Sequence, residues 1–319
     1  MSNQKKLLVS HAPFWHNGSG IPERSYNIMI AALPAALVGI FYFGIPALGV
    51  ISLSISSAIG WELLMNRATR RPFTIGDGHA AMIGMLFGML LPATAPWWLV
   101  IIGTFLAIVI GKEIFGGIGS SPFNPASLSY AILLVSWQTR LDTETALANM
   151  DLPFAGILPL TAIKNFGSAV VVDFNLLDLF LGRQVGGIGT TCGLALVIGA
   201  IYLMFRGFIR WEIVFSFLAS IVVFTTIFRI LDPINYVGPA FHLLSGYTLF
   251  GAFFLATEDS SSPVNFIPMM LYGALGGLMT ILIRNLGAYV DGVIFAILIA
   301  NICSPLLDKI RPTPLGKAV

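Results

Sequence analysis

Residues 27–43 read NIMIAALPAALVGIFYF, Gly44-Ile45-Pro46 interrupts them, and residues 47–64 continue as ALGVISLSISSAIGWELL. No charged side chain lies between Arg24 and Glu62, and none between Asp77 and Lys112 or between Asp259 and Arg284. Each interval is longer than the ~20 residues a helix needs to cross a bilayer. A Gly and a Pro inside such a run mark a break between two spans. Across the chain, 56% of the 319 residues are hydrophobic and 10% are charged. Soluble domains carry roughly 25% charged residues, so too little polar surface exists here to cover a water-exposed core. The expected class is an all-α integral membrane protein.

Gly and Pro divide the remaining apolar sequence in the same way. Further spans are expected at 80–91, which is short and Gly-rich, at 97–110 after the turn 92–96, and at 125–137. The second half gives 188–205, 212–230, 240–256, 264–283 and 292–307. The count is about ten transmembrane helices. The halves resemble each other: Gly39-Ile40-Phe41-Tyr42 with Gly199-Ala200-Ile201-Tyr202, Leu86-Phe87-Gly88 with Leu249-Phe250-Gly251, and Tyr130–Leu134 with Phe295–Ile299. Five spans per half is an odd number, so the second half enters from the opposite side. That makes two inverted repeats, an arrangement that puts ligand sites at the repeat interface, beside short interrupted helices. Gly76–Pro92 and Gly238–Thr257 are the candidates. The expected organisation is an N-terminal segment 1–26, a first repeat 27–137, a connecting segment 138–187, a second repeat 188–307 and a C-terminal tail 308–319.

Charge sets the orientation. With ten spans, one face receives Lys5, Lys6, Arg24, Arg67, Arg70, Arg71, Lys112, Arg206, Arg210, Lys309, Arg311 and Lys317. The other receives Arg140, Lys164, Arg183, Arg229 and Arg284. The positive-inside rule then makes both termini cytoplasmic, and puts 138–187 and the start of the sixth helix outside. The residues after Lys5 and Lys6 are mixed and polar, which is not the pattern of a signal peptide. Cys192 and Cys303 are too few for a zinc site or an iron–sulfur cluster. No Gly-x-Gly-x-x-Gly follows a strand, so no dinucleotide fold is expected, and nothing suggests a nucleic-acid partner.

Four features could carry chemistry. Gly186-Gly187-Ile188-Gly189-Thr190-Thr191-Cys192-Gly193 opens the sixth helix. Free N–H groups and the positive helix end suit a phosphate, and glycines such as Gly187 and Gly189 allow close backbone approach. Thr190 and Thr191 offer hydroxyls for a phosphoester, whereas the bland reading is a helix cap with small packing residues. Phe115–Ala126 is rich in Gly, Ser, Pro and Asn, so it reads as irregular backbone lining a cavity or as an ordinary turn. His79 and His242 occupy corresponding places in the halves, either as haem ligands or as polar caps of short helices. Glu62, Asp77, Glu113, Glu258, Asp259 and Asp291 lie at span ends. There an ion path competes with plain solvated loop charges, the expectation for each taken singly.

Thr74–Gly78, Phe115–Ala126, Gly187–Leu196, His242–Glu258 and Tyr289–Leu307 resemble the RnfD family, which joins the D subunit of the Rnf complex with the B subunit of the sodium-pumping NADH:quinone oxidoreductase. The likeness runs from about Ile28 to Pro312, and the short N-terminal segment favours the Rnf member. The resemblance implies a ten-helix inverted repeat in a bacterial or archaeal cytoplasmic membrane. It implies an electron-carrying component of a ferredoxin:NAD oxidoreductase coupled to sodium-ion or proton movement. It further implies FMN held by a threonine phosphoester on the outer face, attached by a separate flavin transferase. The other Rnf subunits, with iron–sulfur clusters and flavins, would be partners, and no complete activity is expected of the chain alone. Some relatives carry a second, non-covalent flavin, to which no residue here is assigned. The family's Gly-Glu-Thr-Ser corresponds to Gly189-Thr190-Thr191-Cys192, which makes Thr191 the flavin carrier and Thr190 the competing hydroxyl. From the residues alone two other classes stay open: a small-solute channel or transporter with the same repeat, and a b-type cytochrome using His79 and His242.

Overall fold

A computed structural model describes residues 20–147, 150, 154 and 156–310. Lys5, Lys6, Arg311, Lys317, most of the N-terminal segment 1–26, most of the tail 308–319 and part of the connecting segment lie outside the described residues. Those described form helices and turns, with no strand among them.

Helix α1 covers Ile21–Ala68, starting six residues before the expected span. Pro22 sits at its first positions, where a missing N–H costs nothing. It is interrupted at Gly44, whose φ of 71° and ψ of −155° only glycine adopts readily, so the chain makes two rods. A short 3-10 turn, Ile75–Asp77, leads into α2, His79–Leu90, which is too short to cross a bilayer. Next come α3 (Trp97–Phe105), continuing as a π-helical stretch Leu106–Glu113, and α4 (Pro125–Ser136). Four short helices follow: α5 (Gln138–Leu141), α6 (Thr143–Leu147), α7 (Pro159–Phe166) and α8 (Leu176–Leu181). The remainder is α9 (Gly193–Phe205), α10 (Trp211–Leu231), α11 (Pro239–Leu244), α12 (Thr248–Phe250, continuing as a π-helical stretch Gly251–Leu255), α13 (Phe266–Leu286) and α14 (Val293–Leu307).

Three of these helices, α1, α10 and α13, are long and apolar enough to cross a membrane by length and composition. Helices α2, α4, α9 and α14 are shorter and equally apolar. The surface is inverted relative to a soluble protein. Phe41, Ile45 and Phe205 are more than four-fifths exposed, while Ser54, Thr104, Ser127, Ser129 and Thr280 are buried. Lipid gives apolar side chains no reason to hide, so helices associate through small residues and internal hydrogen bonds. On α13, a Cβ at Gly273 would lie 1.9 Å from Ser216 Oγ and one at Gly277 would lie 2.4 Å from the Phe217 carbonyl, so α10 rests directly on the α13 backbone. The Ser220 hydroxyl donates to the Ala274 carbonyl across the same seam at 2.7 Å.

Two expectations are corrected. The sixth span begins at Gly193, not 188, because residues 188–192 form turns rather than helix. Glu62 and Glu113 are not solvated loop charges. Glu62 and Lys112 are each 1% exposed and form an ion pair. Thr74 Oγ1 also donates to Glu62 at 3.1 Å, and Asn66 donates to Thr74 at 3.0 Å. Glu113 faces Arg71 at 3.6 Å. This network ties α1 to the π-helical stretch that leads into the loop 114–124. Removing one partner of a buried pair leaves an uncompensated charge, at a cost of about 3–5 kcal/mol, whereas apolar replacement of both is often neutral. Lys112→Met alone is therefore expected to lower the thermal unfolding midpoint in detergent sharply, and the double variant Glu62→Gln/Lys112→Met to recover most of it. A double variant no more stable than the single one would show that the pair is not what holds this region.

Candidate functional site

The Gly-rich loop 186–192 leads into α9 without being helical itself, and the amides of Ile188, Gly189 and Thr190 are already engaged. Ile188 N–H donates to the Leu91 carbonyl at 3.0 Å, and Gly189 N–H to the Met89 carbonyl at 2.9 Å. The loop therefore caps the C-terminal end of α2, whose last carbonyls have no partner within their own helix. Gly187 and Gly189 are glycines for the same reason. A Cβ at Gly187 would lie 2.6 Å from the Leu90 carbonyl oxygen, and one at Gly189 would lie 2.2 Å from Met89 Cε. The close approach expected at these two residues is real, and what they admit here is the end of α2.

The two threonines differ. Thr190 Oγ1 donates to the Gly187 carbonyl at 3.0 Å and its residue lines a cavity. Thr191 is 2% exposed, and its hydroxyl is buried without a hydrogen-bond partner. Thr191 also immediately precedes Cys192, the N-cap of α9, and so stands at the positive end of that helix.

The cavity beside the loop measures about 270 Å³. Gly186, Thr190, Tyr130, Tyr247, Tyr289 and Asp291 are among its walls. The Tyr130 and Tyr247 hydroxyls are 2.8 Å apart, and Tyr247 donates to the Leu90 carbonyl at 3.2 Å. Arg284 fixes the rim. It is 4% exposed and donates to the His242 carbonyl at 2.8 Å, to Thr248 Oγ1 at 2.8 Å and to Asp291 at 3.0 Å. Asp291 in turn accepts from the N–H groups of Tyr247 and Val293. Gln184 completes the frame, its buried amide nitrogen lying 2.9 Å from both the Thr191 and the Leu244 carbonyls. Lys164 on α7 donates to the carbonyls of Gly287 and Tyr289, and partial burial lowers its pKa from the ordinary lysine value.

A second cavity of about 340 Å³ lies at the other end of α4. Pro125 and Ala126 line it, whereas Tyr130 and Leu134, further along the helix, line the first. Arg24, His79, Asn124 and Glu258 are among its other walls. Asn124 explains part of the Phe115–Ala126 segment. Its side chain accepts from Ser127 N–H as the N-cap of α4, with Pro125 behind it, and donates to the Leu255 carbonyl at 3.1 Å. His79 lines this cavity, while His242 is among the walls of neither.

Tyr130, Tyr247 and Gln184 carry no sequence signal, since each works through a partner distant in the chain. Arg284 does carry one. A charge inside an apolar helix points to a site, but at the end of α13 it reads as a loop charge.

The geometry defines a multi-pass membrane protein whose interrupted helices enclose ligand-sized cavities. The chain belongs to the NQR2, RnfD, RnfE family, which it matches over residues 8–316. It is similar to the D subunit of the ion-translocating oxidoreductase complex of Cronobacter sakazakii, with 31% identity over 97% of this chain and 98% of that one. It is 34% identical to the D subunit of the Na(+)-translocating ferredoxin:NAD(+) oxidoreductase complex of Acetobacterium woodii, over 96% of this chain and 94% of that one. To the D subunit of the proton-translocating ferredoxin:NAD(+) oxidoreductase complex of Clostridium ljungdahlii it is 33% identical, over 97% of this chain and 96% of that one.

Arg284 recognises four acceptors, the His242 and Ser245 carbonyls, Thr248 Oγ1 and Asp291, with one planar group, a task that lysine's point charge does not reproduce. Arg284→Leu, which strands Asp291, is expected to cost about 3–5 kcal/mol in detergent unfolding, with Arg284→Lys recovering only part. A leucine variant as stable as the parent would remove Arg284 from the frame of the cavity.

Proposed function

We propose that the chain is the D subunit of an Rnf-type complex, an electron carrier between ferredoxin and NAD coupled to movement of sodium ions or protons. The observation that carries the reading is end-to-end similarity to subunits so named, at 31–34% identity. Relatives named for sodium and for protons are equally similar, so the proposal names the monovalent cation and not its kind. The other subunits of the complex are the partners, in a cytoplasmic membrane.

The proposed cofactor is FMN, joined through its phosphate to Thr191, with Thr190 as the alternative. The residues present fit such a group. Thr191 has a hydroxyl with no competing partner, and the first turn of α9 favours negative charge beside it. The Thr190 hydroxyl is already engaged. Bound there, the flavin supplies the redox couple, and the chain anchors and orients it while Tyr130, Tyr247 and Tyr289 wall the adjoining cavity. Attachment falls to a separate flavin transferase.

The proposed topology is ten spans in two inverted repeats, with both termini cytoplasmic and the flavin loop outside. The broken helices support it, since α2 and the pair α11–α12 fall in corresponding places. So do Gly39 and Gly199. A Cβ at Gly39 would lie 1.9 Å from the Ile188 carbonyl oxygen, and one at Gly199 would lie 2.1 Å from that of Ala31. Equivalent glycines thus make reciprocal close contacts between the halves.

Co-expression with a flavin transferase, followed by a denaturing gel read for flavin fluorescence, tests the cofactor. The parent chain should fluoresce, Thr190→Ala should still do so, and Thr191→Ala should be dark. Loss only in Thr190→Ala would move the attachment point. A dark parent chain, with the transferase active on a control substrate, would remove the covalent flavin and favour a solute channel built on the same repeat.

A further inference from the structure

Helix α1 ends on a residue that the geometry of its end does not favour. Arg71 N–H donates to the Asn66 carbonyl at 2.9 Å and Arg70 N–H to the Arg67 carbonyl at 3.3 Å, the paired bonds that close a helix through a left-handed residue. Arg70 is that residue, with a φ of 54°, and among the described residues no other non-glycine has a positive φ. Glycine fills this position with least strain, so an arginine there works against the fold. Nor is its side chain used by the fold. Arg67, Arg70 and Arg71 are all exposed, and among the described residues the side chains of Arg67 and Arg70 have no ion pair or hydrogen bond. Arg71 stands 3.6 Å from Glu113, too far for a hydrogen bond, which leaves its donors open.

The three arginines stand where the chain leaves the apolar layer. No Lys or Arg lies between Arg24 and Arg67, and α1 is long and apolar enough to cross a membrane. Arg71 borders a cleft of about 300 Å³, walled by Asn66, Arg71 and Thr74 on one side and by Lys112, Glu113 and Gly117 on the other. Each wall is followed or preceded in sequence by exposed apolar side chains, Phe73 at 67% on the first, Ile114 at 65% and Phe115 on the second. Cations and exposed apolar groups at one level belong to the bilayer interface. A general excess of cations at span ends accounts for arginines near this level, but not for one in a position that suits glycine.

We infer that the end of α1 and the facing loop bind the headgroup of an anionic phospholipid. Arg70 and Arg71, with Arg67 one turn back on the helix, hold the phosphate, and Phe73, Ile114 and Phe115 meet the acyl chains. A guanidinium gives a phosphate two N–H groups at once, which suits arginine rather than lysine to the task. Lipid is the occupant rather than an acidic protein, because a phosphate is the acid present at the depth where a spanning helix ends beside exposed Phe and Ile. The site is independent of the flavin.

The test uses the full chain in detergent. Its unfolding midpoint is followed as phosphatidylglycerol, or phosphatidylcholine with the same acyl chains, is titrated into the micelles. The parent is compared with Arg70→Gly and with Arg67→Gln/Arg70→Gly. Phosphatidylglycerol should raise the parental midpoint more than phosphatidylcholine does. Without lipid, Arg70→Gly should melt at or above the parental midpoint, since glycine relieves the left-handed strain. It should need roughly fivefold more phosphatidylglycerol for half the rise, and the double variant roughly 30-fold more. Equal rises with the two lipids, or the same phosphatidylglycerol dependence in parent and double variant, would overturn the site. So would a lipid-free midpoint of Arg70→Gly below that of the parent, which would give Arg70 a partner inside the fold. Inorganic phosphate reproducing the rise would make this a free-anion site and overturn the lipid. A double variant that responds to lipid like the parent but no longer copurifies with the other subunits of its complex would make the patch a protein contact, which overturns it as well.

Discussion

Unpaired backbone groups buried in a membrane protein have no water to turn to, and among the described residues the ends of α2, α11 and α12 meet protein groups instead. Helices α2, α11 and α12 stop short, leaving carbonyls that only protein can satisfy. Each end is met from elsewhere in the chain. The last carbonyls of α2, at Met89, Leu90 and Leu91, receive Gly189 N–H, the Tyr247 hydroxyl and Ile188 N–H. Leu255, which ends the π-helical stretch of α12, receives the Asn124 amide. Around the break after α11, His242 and Ser245 receive Arg284, and Leu244 receives Gln184. Of those donors, Asn124, Gln184 and Arg284 stand where the sequence reads as loop or stray charge, whereas Ile188, Gly189 and Tyr247 fall inside the expected spans 188–205 and 240–256.

The same requirement changes the meaning of the Gly-rich loop. Glycines beside a pair of threonines suggest a phosphate cradle, because exposed N–H groups and close approach are what a phosphate uses. A helix C-terminus uses them too. Its carbonyls are acceptors crowded at one point, and only a loop without side chains comes near enough to donate. Gly187 and Gly189 meet that demand, which also pushes the start of α9 downstream to Gly193.

Legibility in the sequence follows from this. Apolar runs and the interruptions at Gly44, Pro92 and Gly238 depend on local composition, and the helices fall close to where those features put them. The placement of α2 is legible to within a residue for the same reason. What is not legible is pairwise. Glu62 and Lys112 are fifty residues apart in sequence, each at the edge of an apolar run, and each alone looks like a loop charge. Only the fold brings them together, and burial is tolerable only because it does. Tyr130 and Tyr247, 117 residues apart, are the neutral version of that case. Nothing local distinguishes Gln184 from any polar residue before a helix, although its amide joins the loop to the end of α11.

These commitments also single out one hydroxyl. In the loop, the amides of Ile188 and Gly189 are spent on α2, the Thr190 amide and hydroxyl both go to the Gly187 carbonyl, and the Thr191 carbonyl accepts from Gln184. The Thr191 hydroxyl has no such duty, though it is buried where an unmade hydrogen bond costs about 1–3 kcal/mol. A valine would fill the space of a threonine side chain without that cost. The threonine stands instead at the positive end of α9 with that hydrogen bond unmade. The loop commits the Ile188 and Gly189 amides to holding α2 and the Thr190 amide and hydroxyl to its own turn, so the Thr191 hydroxyl is the one left without a partner.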